Sequence, residues 1–192
     1  KPFDQGRNGF VMGEAAVFFV VESLESARNR GVKPYAKLLG WGSSCDAHNV
    51  TAPHPNGDGA YLSMQRALSD AYCRPEEIGY INAHGTGTPL NDLTEAQAIG
   101  RVFGEHRPWV SSSKAHFGHC IGTAGTIELV ACIAALQMQK VPPNLNLDTP
   151  EPNLGIRLAP QTTLTHPLGG VMSNSFGFGG QNVSLVLGVI GD

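Results

Sequence analysis

Ile78-Gly-Tyr-Ile-Asn-Ala-His84-Gly-Thr-Gly-Thr88 sets an apolar, aromatic run directly against a turn of alternating glycines and threonines. The run predicts a buried strand from Ile78 to Ala83, and its abrupt end places His84 where open α/β sheets build their sites, at the end of a strand. Gly85 and Gly87 leave no side chain between the backbone and a ligand, while the Thr86 and Thr88 hydroxyls can meet amide groups or phosphates. Taken alone, the motif also fits a strand-exit turn around a histidine whose hydrogen bonds are satisfied.

The pattern returns further along the chain. Trp109 to Ser113 reads as a strand, Lys114 and His119 follow it, and Gly118 and Gly122 keep the backbone bare before a helix from Gly122 to Gln139 that Pro142-Pro143 forbids from continuing. Backbone N–H groups at such a helix start favour developing negative charge. Glu128, six residues into that otherwise apolar helix, needs a partner if it is buried, and Lys114 is the candidate. A third motif, Asn174-Ser-Phe176-Gly-Phe178-Gly-Gly180, reads as a glycine hairpin. Its rings either plug the core or, with glycines on both sides, make Phe178 a gate whose N–H is free to donate. His48, His54, His106, His116 and His166 lie in loop-like sequence and read as ordinary exposed histidines.

Between these motifs the chain alternates. Val17 to Val21 predicts a strand covered on both faces; a helix runs from an N-cap at Ser23 to Gly31, and Tyr35 to Leu39 predicts another strand. Ser43 to Gly59 reads as a long loop, Ala60 to Tyr72 as a helix, and Asp92 with Glu95 as a capping box opening a helix to about Gly104. Ile156 to Ala159, Gly170 to Asn174 and Val183 to Val189 predict the closing strands. Strands and helices in this order indicate a layered α/β domain over residues 1–192, with no internal repeat and no interdomain linker.

Composition narrows the function. A length of 192 residues with 41% apolar and 15% charged content favours a packed core, and a net charge of −3 with scattered basic residues makes no stripe for nucleic acid. The apolar runs counted, Ala15 to Val21 and Ile127 to Leu136, fall short of the ~20 residues that span a bilayer. The four cysteines, Cys45, Cys73, Cys120 and Cys132, form no Cys-x-x-Cys pair and suit a reducing cytosol. Cys120 adjoins His119, but neighbouring side chains point apart, and Cys132 sits in the apolar helix as core. The opening Lys1-Pro-Phe-Asp has no initiator methionine and reads as the middle of a longer protein.

Together with Pro2-Phe-Asp-Gln-Gly-Arg7-Asn-Gly-Phe-Val-Met-Gly-Glu14, the three motifs resemble, over nearly the whole chain, the C-terminal half of the β-ketoacyl-acyl-carrier-protein synthases, the elongating condensing enzymes of the thiolase superfamily. The resemblance implies a thiolase-like α/β fold, layered α/β/α with a mixed sheet. It implies a decarboxylating Claisen condensation of fatty-acid or polyketide type in which His84 and His119 stabilise the enolate left by a malonyl thioester. Lys114 and Glu128 would then form a pair that orders the His119 region, Thr86 and Thr88 would hold a phosphopantetheine arm, Phe178 would gate the acyl pocket, and Asp46 with the loop to Thr51 would match a second mobile loop. It implies no metal and no cofactor beyond the phosphopantetheine of an acyl carrier protein. The implied partners are that carrier protein and a Cys-bearing N-terminal half or subunit, in a dimer of complete units in the cytoplasm. Ala115-His116-Phe117 and Thr123 depart from the family's usual residues without touching these groups. The rival readings are a chemically silent chain-length-factor-like partner, against which the retained histidines, Lys114 and glycine hairpin argue, and an inactive fragment.

Overall fold

The computed structural model describes residues 1–191. The buried run Ile78–Asn82 (β2) is the centre of a six-stranded sheet. It pairs in parallel with Trp109–Ser111 (β3) on one side and Gly170–Phe176 (β7) on the other. Arg157–Leu158 (β5) extends the β3 side in parallel, and on the β7 side Gln181–Gly188 (β8) and then Lys37–Cys45 (β1) add antiparallel, giving the order β1-β8-β7-β2-β3-β5. Lys140–Val141 (β4) and Leu164–Thr165 (β6) make a separate two-stranded ribbon.

Adjacent residues on these strands point to opposite faces, and the sheet has two cores as a result. Ile81, Met172 and Val186 pack with Met64, Ala67 and Leu68 of Asp58–Asp70 (α2) and with Ala96, Ile99 and Phe103 of Pro89–Phe103 (α3). Their neighbours Tyr80, Val171 and Leu187 pack with Cys132, Ala135 and Leu136 of Ala124–Met138 (α5) on the other face. Leu24–Asn29 (α1), with Ser23 accepting from the Ser26 N–H as its cap, and the single turn Lys114–Phe117 (α4) complete the helices. The architecture is the expected layered α/β/α with a mixed sheet.

Three expectations need correction. The strand expected over Val17–Val21 does not form, and Phe18, Val20 and Val21 are 95%, 89% and 77% exposed: the run has the composition of a buried strand, but among the described residues it pairs with no other backbone. The helix after His84 starts at Pro89 with Thr88 as N-cap, so Asp92 and Glu95 lie inside its first turns and point back at the preceding turn instead of capping. The loop predicted from Ser43 is shorter, because β1 continues to Cys45, held along its length by β8.

The apolar stretch at α5 is also longer than the run counted in the sequence. With its leading 3₁₀ turn, Ile121–Met138 has the length and composition to cross a membrane, with a mean hydropathy of 1.5. It packs against the sheet along one stripe only, Ala124, Glu128, Cys132, Ala135 and Leu136, which is the spacing of a single helix face. Ile121, Val130 and Met138 on its other sides are exposed. A helix apolar all round is suited to cover on every side, and the described residues cover about one.

Candidate active site

His84 and His119 lie beyond the carboxyl ends of β2 and β3, two neighbouring parallel strands. Turn geometry delivers each. After β2 the chain reverses at Gly85, whose φ of +38° and close approach to Ser112, where an added Cβ would sit 2.5 Å from the Ser112 Cβ, leave room for glycine alone. After β3 the α4 turn ends at Gly118 with φ +76°, and His119 is then fixed by a backbone bridge to the segment around Met12: its N–H donates to the Val11 carbonyl at 2.7 Å and its carbonyl accepts from Gly13 at 3.1 Å.

The two imidazoles meet edge to face with ring centroids 5.6 Å apart. Phe176 packs 5.7 Å from the His84 ring and Phe10 packs 4.9 Å from the His119 ring, so the pair has aromatic flanks. The Lys114 Nζ uses all three of its donor directions: to the His84 carbonyl at 2.6 Å, to the Glu128 carboxylate, and to the His84 Nδ1 at 3.3 Å. The His119 Nδ1 accepts from the Ile121 N–H at 3.1 Å. In both rings Nδ1 is therefore an acceptor, and in the neutral imidazole the proton resides on Nε2.

Electrostatics keep both rings neutral. Burial, reinforced by the nearby Lys114 ammonium and then by His119, holds His84 well below the ordinary histidine range, and burial with Lys114 lowers His119 to about 4. Burial likewise pushes the Glu128 carboxyl up, with the Lys114 ammonium opposing it. The Lys114–Glu128 pair is inaccessible, with side chains 3% and 1% exposed.

A second carboxylate supports the His84 turn from behind. Glu95 accepts from the backbone N–H groups of His84 and Gly85 at 2.9 and 2.8 Å and from the Asn174 amide at 3.2 Å, and burial raises it to about 7 against those donors. Asp92 does the same one turn earlier for Gly87 and Phe3. Sequence reasoning missed this role for both. The available signal was their three-residue spacing, which stacks two carboxylates on one face of a helix that begins at a glycine-rich turn.

The remaining residues singled out in the sequence fall in two places. Thr86 and Thr88 share a hydroxyl–hydroxyl hydrogen bond of 2.8 Å beside His84. Phe178 sits at the tip of the β7–β8 hairpin, 74% exposed, and its N–H makes no hydrogen bond among the described residues. Asp46 ties that hairpin to the loop after β1: its N–H donates to the Gly180 carbonyl at 2.8 Å, and its carboxylate accepts from the Asn182 amide and the His54 N–H. His116 and His48 are exposed, and the His106 Nε2 lies 3.0 Å from the Ile78 carbonyl.

No cysteine thiol hydrogen-bonds to either imidazole among the described residues. Cys120 turns its Sγ toward the Phe117 and Gly118 carbonyls, burial pushes the Cys132 thiol up to about 12, and Cys45 and Cys73 lie against Gly179 and Arg74. A concavity of about 450 Å³ between Leu39, Glu76, His106 and His166 lies at the opposite ends of the strands from His84 and His119, beside Gly79 and Gly170.

The layered α/β/α domain that carries these groups has the thiolase-like fold of solved ketosynthases. The chain belongs to the β-ketoacyl synthases: the profile of the Beta-ketoacyl synthase, C-terminal domain matches residues 35–148. It is 46% identical over 187 residues to the 3-oxoacyl-[acyl-carrier-protein] synthase 2 of Synechocystis sp., an alignment covering 96% of this chain and 45% of that protein. Among solved structures it superposes on the ishigamide ketosynthase/chain length factor with a TM-score of 0.95 at 40% identity, over 99% of this chain and 47% of that one. It superposes equally well, at 33% identity and the same coverage, on a chain from the structure of a type II polyketide synthase acyl-carrier protein in complex with its ketosynthase. The chain thus spans about half the length of the proteins it matches.

Proposed function

We propose that this chain supplies the two-histidine half of a β-ketoacyl-acyl-carrier-protein synthase, which condenses a malonyl thioester with an acyl thioester in fatty-acid or polyketide synthesis. In that reaction an acyl group waits on a cysteine thiol. The malonyl unit, carried on the phosphopantetheine of an acyl carrier protein, loses carbon dioxide to leave a thioester enolate. The enolate carbon attacks the acyl carbonyl, the carbon–sulfur bond to the cysteine breaks, and the thiolate leaves.

The observation that carries this reading is the pair of Nε2–H donors. His84 and His119 each have Nδ1 engaged as an acceptor, both rings are neutral at working pH, and the rings lie 5.6 Å apart. Two fixed donors of this kind suit a thioester oxygen whose charge grows as carbon dioxide departs, and they are worth most where water is scarce. Lys114 serves as the positioning cation: it holds the His84 backbone and fixes its tautomer. Thr86 and Thr88 receive the pantetheine arm, and Phe178 closes over the acyl chamber while its free N–H contributes to an oxyanion hole.

The nucleophilic cysteine comes from a second half, and the bare sides of α5 with the unpaired Ala15–Val21 run support such a partner: an apolar surface of this extent is suited to burial against another α/β half. The other partner of this reading is an acyl carrier protein, in keeping with the carrier–ketosynthase complex to which the fold is similar, and the complete units work as a dimer in the cytoplasm. The chain needs no metal or cofactor of its own for this chemistry. Mixing it with a Cys-bearing N-terminal half and following malonyl-dependent ketoacyl product tests the reading. Product is expected from the mixture and none from this chain alone; product from the isolated chain, or none from an assembled mixture, contradicts it.

A further inference from the structure

Arg7 occupies a place that helix electrostatics disfavour. Its guanidinium, 6% exposed, lies at the amino end of α3, where the aligned peptide dipoles repel a cation. Two carboxylates offset this: Glu151 Oε2 at 2.6 Å from Nη1, and Asp92 Oδ2 at 3.9 Å from Nε. The rest of the fork is spent on backbone oxygens. Nη1 donates to the Asp4 carbonyl at 2.8 Å, Nε to the Thr88 carbonyl at 3.3 Å, and Nη2 to the Pro89 carbonyl at 3.2 Å. Thr88 and Pro89 are the N-cap and first residue of the helix, and the Thr88 hydroxyl makes no capping bond. That hydroxyl is bonded to Thr86 instead, so the direction in which the pair of hydroxyls faces is set by the backbone that carries them.

The same turn is held from other sides by bonds that reach its amides. Asp92 accepts from Gly87, Glu95 accepts from His84 and Gly85, and the Gly9 N–H donates to the Gly87 carbonyl at 2.9 Å. At the Thr88–Pro89 end the side-chain donor is Arg7. The fork meets four acceptors in fixed directions, the Asp4, Thr88 and Pro89 carbonyls and the Glu151 carboxylate, one more than the three donors of an ammonium, which all converge on a single nitrogen.

We propose that Arg7 is a positioning residue for substrate binding: it acts through the Thr88 and Pro89 carbonyls to aim the Thr86 and Thr88 hydroxyls at the pantetheine arm of the carrier-bound substrate. This rests on the reading above, in which those hydroxyls hold the arm. It concerns ground-state binding, so it acts on KM and leaves kcat nearly alone.

The test is a mutant cycle in the complemented enzyme with malonyl-carrier protein as substrate. Arg7→Lys is expected to raise KM about tenfold, the size of a lost charge-assisted hydrogen bond, with kcat within about twofold of wild type. In a Thr86→Val/Thr88→Val background, which raises KM by itself, adding Arg7→Lys is expected to change KM less than about twofold, because the groups through which it acts are gone. Effects that multiply in the two backgrounds, or a loss of kcat and thermal stability at unchanged KM, overturn the inference and leave Arg7 a structural clamp. Should Arg7→Lys fail to assemble, Glu151→Gln removes only the outer, partly exposed partner of the guanidinium and goes through the same cycle, with the same coupling expected and the same multiplicative result refuting it. An unchanged KM in the double threonine variant overturns the pantetheine assignment and this inference with it, whereas multiplicative effects overturn the inference alone.

Discussion

Lys114→Met removes one ammonium and leaves three groups unserved: the His84 carbonyl, the His84 Nδ1 and the Glu128 carboxylate. The methionine fills much the same volume, so the loss is electrostatic more than steric. Glu128 is 1% exposed, and breaking a buried pair by removing one partner costs about 3–5 kcal/mol because the other charge is stranded. For a chain of this length each kcal/mol is worth about 2–4 °C, which predicts a fall in melting temperature of about 6–20 °C. Lys114→Met/Glu128→Leu removes both charges, and apolar replacement of a whole buried pair is often nearly neutral, so the double variant is expected to regain at least about half of that fall. Thermal unfolding followed by circular dichroism at one protein concentration and pH 7.5 measures both. A single variant melting within about 1 °C of wild type, or a double variant melting as low as the single, refutes the idea that this pair is a coupled buried unit.

Glu95→Gln tests the buried carboxyl behind the His84 turn. Its value rises from 4.5 to about 7, so between those limits the folded chain holds the proton more tightly than the unfolded chain does, and stability falls as pH rises through that window and then levels. At about 1.4 kcal/mol per unit the fall is about 3 kcal/mol. Glutamine cannot ionise, so urea unfolding is expected to show the variant gaining about that much on wild type between pH 4.5 and 8, whereas parallel profiles count against it. Phe178→Ala keeps the free backbone donor and removes the ring, and in the complemented enzyme acyl loading is expected to lose selectivity more than decarboxylation loses rate; equal losses would mark the ring as packing.

What the sequence made legible was local. The end of the Ile78–Asn82 strand located His84, and a lone glutamate in an apolar helix called for a cation, which Lys114 supplies. Illegible features depended on what lies beside a segment. Ala15–Val21 has the residues of a buried strand, yet hydrogen-bonded pairing belongs to neighbours that a run of apolar residues does not specify. Asp92 and Glu95 fit a capping box by type and spacing, but Pro89 starts the helix one turn earlier, and the carboxylates inside it satisfy the His84 turn. Arg7 is 81 residues from Thr88 in sequence, and nothing in its surroundings announces that the two meet.

If His84 and His119 together stabilise the enolate, malonyl decarboxylation by the complemented enzyme depends on both. His84→Ala and His119→Ala are each expected to slow release of carbon dioxide from malonyl-carrier protein by about 10²–10³, the usual cost of removing one preorganised donor, while transfer of the acyl group to the partner's cysteine stays within about threefold of wild type. Decarboxylation at the wild-type rate in either variant, with the protein folded and assembled, would show that the pair does not stabilise the enolate.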